Sequence, residues 1–67
     1  MLKTINVIEY IGGTIHQLVA FPDTTKGISD AETLFKKMAR ENGIEINDLD
    51  EGVCEKEDYQ LFLVHSK

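Results

Sequence analysis

The chain contains no tryptophan, one proline, one cysteine, and only seven basic residues against twelve acidic ones. A lone cysteine excludes an intrachain disulfide and favours a reducing, cytoplasmic location. The formal net charge of −5 argues against nucleic acid as a partner, because affinity for phosphates comes from lysine and arginine. No apolar run approaches the ~20 residues that span a membrane, and no signal-peptide pattern precedes the first β-rich run.

The length of 67 residues predicts a single small domain over positions 1–67. A domain of this size buries only about 60% of the surface of its unfolded chain, so its stability is marginal. Small domains often compensate with disulfides, metals or oligomerisation, and the first of these is excluded within one chain. Oligomerisation stays open, and a homodimer is one expectation.

Two β-rich runs, INVIEYI and TIHQLVAF, flank Gly12-Gly13. This pattern predicts a β-hairpin with a two-residue turn, because glycine accepts the positive φ of tight hairpin turns. A two-residue turn also fixes which side chains share a face. The predicted pairs are Glu9–His16, Val7–Leu18 and Ile5–Ala20 on one face, and Tyr10–Ile15, Ile8–Gln17 and Asn6–Val19 on the other.

A helix is predicted over residues 29–42. Ser29-Asp30-Ala31-Glu32 fits a capping box, in which the serine and glutamate side chains satisfy free N–H groups of the first turn. Asn42-Gly43 is a typical C-terminal stop. One apolar stripe follows from helical spacing, comprising Ala31, Leu34, Phe35, Met38 and Ala39.

The last apolar run, residues 59–65, predicts a third strand beside the first. Residues 53–55 have two open interpretations, a short extra strand or an extended arm. The predicted fold is α+β with element order β-β-α-β. It has a three-stranded, mainly antiparallel sheet of order 2-1-3, with the helix packed on one face.

Both faces of this predicted sheet carry large apolar side chains, yet a single helix covers only one face. Three interpretations are open: the 44–58 segment folds across the second face, its apolar side chains are simply exposed, or that face binds a second copy or another partner. The candidate partner-binding residues are Ile8, Tyr10, Ile15, Val19 and Phe62 on the sheet, and Asp48, Asp50 and Glu51 in the acidic segment.

Charge is unevenly distributed along the chain. Residues 41–67 hold eight acids and two bases, whereas the first forty residues are close to neutral. Lys36, Lys37 and Arg40 share the polar helix face, but no exposed aromatic residues are interleaved with them as in nucleic-acid binding surfaces. The acidic 41–58 segment is therefore the second candidate binding surface.

No residue cluster predicts an enzyme. Cys54 lies among acidic residues, which suppress the thiolate that a nucleophile needs. His16 faces Glu9 in the predicted register, an arrangement that fits an acid/base pair but is more typical of a cross-strand surface pair. Residues 48–52 lack the ligand spacing of an EF-hand calcium loop. We therefore expect no catalytic residue, no metal and no cofactor.

Phe21-Pro22-Asp23, after a hairpin and before a helix with Asp30-Ala31, resembles the HicB-type antitoxins. The chain departs from that pattern, because a further strand before the helix and a DNA-binding segment are missing. The resemblance implies an antitoxin-like regulator. The residues themselves favour a small cytoplasmic, non-enzymatic interaction or regulatory module, acting through a sheet face or the acidic segment. An acidic decoy that occupies the basic groove of a nucleic-acid-binding protein is the alternative.

Overall fold

Two β-hairpins joined by one helix make up the part of the chain that the structure describes. A computed structural model describes residues 3–45 and 52–66. The first hairpin consists of β1 (Thr4–Ile11) and β2 (Thr14–Pro22), followed by helix α1 (Thr25–Glu41). The second hairpin consists of β3 (Val53–Lys56) and β4 (Tyr59–His65). All paired strands are antiparallel, and their order across the sheet is β2-β1-β4-β3.

The α+β class, with one helix packed on an antiparallel sheet, is confirmed, but the predicted three strands of order 2-1-3 were wrong. The strand predicted over residues 59–65 is β4, and it lies beside β1. Residues 53–56 add β3 at its outer side, so the sheet has four strands among the described residues. The connecting turn contains no glycine, and Glu57 adopts the positive φ of 56° that usually marks one. The sequence signal for this hairpin is therefore weak.

The predicted register of the first hairpin was wrong beyond the turn. Gly12 and Gly13 do form the tight turn, with φ of 61° and 83°. A β-bulge at His16 then shifts the pairing, so that Val7 faces Val19 instead of Leu18. Because side chains alternate along a strand, this shift moves Val19 to the helix side of the sheet and Leu18 to the opposite side.

Helix α1 begins four residues before the predicted start, because Thr24 caps it and Ser29 does not. Thr24 has the extended backbone of an N-cap, with φ −126° and ψ 167°. Its hydroxyl oxygen accepts a hydrogen bond from the Gly27 N–H at 3.0 Å. Ser29 lies inside the helix, where its carbonyl accepts a bond from the Thr33 hydroxyl at 2.9 Å.

We expect Thr24→Ala to lower the free energy of unfolding by about 1 kcal/mol, the usual cost of removing an N-cap side chain. Ser29→Ala should change it by less than about 0.5 kcal/mol, because Ser29 is exposed on the helix surface. Urea titration followed by circular dichroism measures both. A larger loss for Ser29→Ala would show that the helix begins at the capping box.

The core lies between α1 and one face of the sheet. Helix residues of the predicted stripe pack against alternate residues of β1 and β4, and Leu34 of that stripe is partly buried. The buried hydrophobic residues are Ile5, Val7, Ala31, Phe35, Met38, Ala39, Tyr59 and Leu61. Within residues 3–45 and 52–66, no helix is long and apolar enough to cross a membrane.

Candidate functional site: the open sheet face

The side of the sheet opposite α1 has no covering element among the described residues, and we call it the open face. Strand alternation and the observed register place mostly apolar side chains on this face along all four strands. Its apolar members are Ile8, Tyr10, Ile15, Leu18, Ala20, Val53, Phe62 and Val64.

Solvent exposure is highest at the rim of the open face. Leu18 and Ile15 on β2 are 54% and 52% exposed, and Val53 on β3 is 48% exposed. The centre is better packed, because the rings of Tyr10 and Phe62 meet edge to face with their centroids 5.4 Å apart. The open face therefore has an ordered aromatic pair near its centre and exposed aliphatic side chains around it.

One row of this face crosses the whole sheet. Ile8 on β1 lies opposite Leu18 on one side and Phe62 on the other, and Phe62 in turn lies opposite Val53. All four side chains are apolar, and we call this set the central row. On β1 and β4 the neighbouring rows include polar residues, Asn6 on one side and Gln60 on the other. The face is therefore most apolar along a line that runs across its strands.

The open face is almost uncharged, although the chain carries a formal net charge of −5. Glu55 is its only charged residue among the described strands, and it lies on β3 at the edge of the sheet. The Gln60 amide donates a hydrogen bond to the Glu55 carboxylate at 3.0 Å. Glu9, the other acidic residue of the described strands, lies on the helix side of the sheet.

Four of the five predicted sheet residues lie on the open face, namely Ile8, Tyr10, Ile15 and Phe62. Val19 lies on the helix side, because of the bulge described above. Asp48, Asp50 and Glu51 of the acidic segment lie outside the described residues. Residues 52–58 extend the sheet as β3 and its turn, so they do not fold across the second face.

Leu18 and Val53, two ends of the central row, were missed by the sequence analysis. Nothing in the sequence marks the bulge that turns Leu18 outward. Val53 was missed because the sequence left residues 53–55 open between a short extra strand and an extended arm, so no face could be assigned to Val53.

A buried carboxylate lies on the helix side of the sheet. Glu9 is only 7% exposed. It accepts a hydrogen bond from the Tyr59 hydroxyl at 2.6 Å, and the His16 Nδ1 lies 2.7 Å from its other oxygen. The bulge turns His16 onto Glu9, so the predicted contact forms although these residues are not register partners.

This trio is better suited to stabilising the fold than to chemistry. Burial, together with the hydrogen bond to Glu9 and the charge of Glu9, raises the pKa of the Tyr59 hydroxyl well above its usual value. A phenol held protonated in this way donates to Glu9 and does not act as a base at neutral pH. His16 remains largely exposed, at 64% of its side chain.

Cys54 points to the core and not to the open face. It faces Leu61 across the β3–β4 pair and is partly buried. Burial raises the pKa of its thiol, which keeps it protonated and poorly nucleophilic.

Lys36, Lys37 and Arg40 line a shallow depression of about 330 Å³ on the outer side of α1, together with Thr33. In the part of the chain that the structure describes, no carboxylate lies within salt-bridge distance of these bases. Nor do residues 3–45 and 52–66 contain a group of three side chains positioned to hold a metal ion.

The chain matches no protein-family model, and no curated protein or solved structure is significantly similar to it.

Proposed function

We propose that the chain is a small, non-enzymatic protein-interaction module, which binds an apolar and uncharged protein surface through its open face. The observation that carries the proposal is the central row, Leu18–Ile8–Phe62–Val53, apolar from one sheet edge to the other. Single exposed hydrophobic residues are common on proteins, but contiguous apolar patches typically mark interaction surfaces.

Burial of the open face would release a useful amount of free energy. Fully burying one aliphatic or aromatic side chain contributes about 1.5–3 kcal/mol. Leu18 and Ile15 are about half exposed, so each still has a large part of that contribution to gain. A partner that presented charges to this face would have to desolvate them without compensation, which excludes strongly charged ligands.

A cytoplasmic location is part of the proposal. A free, partly buried Cys54 is compatible with a reducing compartment, in which no disulfide forms. Binding through apolar side chains requires no disulfide bond, so it is compatible with this compartment.

The test uses the tagged chain as bait in cells of its natural source, with two matched variants. Leu18→Lys places a charge in the central row, whereas Gln17→Lys makes the same change in charge on the next residue, which faces the other side of the sheet. We expect wild type and Gln17→Lys to retain the same protein partner in near-stoichiometric amount. Leu18→Lys should retain it at least about tenfold less.

Fold integrity is checked separately, because exposed substitutions should change the free energy of unfolding by no more than about 0.5 kcal/mol. Equal retention by all three baits would contradict the proposal. Binding through the acidic 41–58 segment would instead weaken steeply as the salt concentration rises, while binding through the open face should not.

A further inference from the structure

We propose that the surface which the open face binds is the open face of a second copy of this chain. The product is a two-fold symmetric sandwich, in which two sheets pack face to face and the two helices lie on the outside. This inference rests on the proposed function and names the partner for the same surface.

The area of the open face is sufficient for such a dimer. Four strands at ~4.8 Å spacing, with about seven residues at ~3.3 Å each, give a footprint on the order of 400 Å². Two such faces, enlarged by the relief of their side chains, would bury on the order of 1,000 Å², near the lower limit for a specific interface. We therefore expect a reversible dimer of modest affinity.

The charge distribution permits two acidic copies to approach each other by this face. Glu55 lies at the sheet edge, and its carboxylate is already hydrogen-bonded to Gln60. The remaining open-face positions of the described strands are uncharged. Electrostatic repulsion between two copies then comes from acidic residues outside the contact. Salt screens this repulsion at physiological ionic strength, where the Debye length is about 8 Å.

The apolar central row, flanked by polar positions, favours a second open face as the partner over a protein surface of another shape. Sheets that pack face to face interdigitate side chains across a layer about 10 Å thick. A two-fold axis that lies between the two sheets and runs along the strands or along the row sets central row against central row, since the row passes through Ile8 and Phe62 on the two inner strands. The polar positions, Asn6 and Gln60, then lie to either side of the apolar contact.

The dimer also supplies a cover for the open face that the described residues do not provide. These residues contain one helix for a sheet with two apolar faces, and Leu18, Ile15 and Val53 of the open face are about half exposed. A second copy covers this face without any further element from the chain itself, as oligomerisation does for many small domains.

Sedimentation equilibrium of the purified, untagged chain tests the inference. Wild type and Gln17→Lys should sediment as dimers at high micromolar concentration and dissociate on dilution. Leu18→Lys and Val53→Lys, at opposite ends of the central row, should each weaken the dimer by more than about tenfold. Raising the salt from about 0.05 to about 0.5 M should leave the wild-type dimer intact or slightly tighter.

A wild-type chain that stays monomeric at high micromolar concentration overturns the inference. If its capture of another protein still depends on Leu18, the proposed function stands and only the identity of the partner is wrong.

A dimer unchanged in both Leu18→Lys and Val53→Lys also overturns the inference and places the contact elsewhere, such as the free edge of β2. If capture is also unchanged in Leu18→Lys, the proposed function fails as well. Circular dichroism of both variants must show the wild-type spectrum, and either variant suffices if the other misfolds.

Discussion

Replacing Phe35 with alanine is expected to lower the free energy of unfolding by about 3–5 kcal/mol, the usual cost of truncating a buried phenylalanine. Phe35 is 1% exposed and is among the largest fully buried side chains of the described chain. It lies in the middle of α1 and fills the space between the helix and the sheet. The loss combines the burial of the ring with the cavity that its removal leaves.

The size of the chain makes this loss severe. Typical domains are stable by about 0.05–0.15 kcal/mol per residue, and small ones bury a lower fraction of their surface. The expected loss therefore consumes most of the stability, and Phe35→Ala should be largely unfolded at 25 °C.

Lys36→Ala is the matched control for Phe35→Ala. It truncates the next residue on the same helix, which is exposed, and should shift the urea midpoint only slightly. Circular dichroism and urea titration of dilute protein measure both variants, because low concentration removes any contribution from association. A cooperative transition at the wild-type midpoint in Phe35→Ala would show that α1 does not pack on the sheet through this residue.

Local patterns predicted the elements of this fold better than the contacts between them. The Gly12-Gly13 turn and the apolar stripe of the helix are visible in the sequence, because both depend on residues close together in the chain. The bulge at His16 is not visible, because it depends on which residue of β2 best fills the space beneath α1. Val19 and Phe21, placed on the helix side by the bulge, are both partly buried there.

The start of the helix shows the same limit. Ser29 and Glu32 form a good capping pattern, but Thr24 lies two residues after the end of β2 and also fits an N-cap. In the fold the helix begins directly after Thr24, and Gly27 of its first turn packs so closely against Pro22 that a side-chain carbon there would collide with the Pro22 carbonyl oxygen. Only the folded arrangement of β2 and α1 shows this contact.

The open face was partly predictable for a simple reason. Alternation places Ile8 and Tyr10 on one side of β1 whatever the register, and the turn fixes Ile15 beside Tyr10. Leu18 lies beyond the bulge, so its side could not be derived from the turn. The central row therefore depends on a register that only the structure provides.

Replacing Tyr59 with phenylalanine is expected to cost about 1.5–3 kcal/mol, because it removes a hydrogen bond to a charged group and leaves a buried oxygen of Glu9 without this donor. The ring itself is conserved in the substitution, so packing changes little. Tyr10→Phe is the matched control, since Tyr10 lies on the open face and away from Glu9.

The pH dependence distinguishes a lost hydrogen bond from a general loss of packing. Folding raises the pKa of Tyr59 above the value of about 10 for an unfolded tyrosine, chiefly by burial and then through Glu9. The stabilisation is therefore complete below pH ~10 and is lost as the pH rises further, because the unfolded chain releases this proton first. Tyr59→Phe should lack this alkaline loss, whereas Tyr10→Phe should keep it.

Urea midpoints of the three proteins between about pH 8 and 11 measure the effect. Parallel curves for wild type and Tyr59→Phe would mean that the phenol of Tyr59 titrates as in the unfolded chain, and that the contact with Glu9 contributes little to the fold.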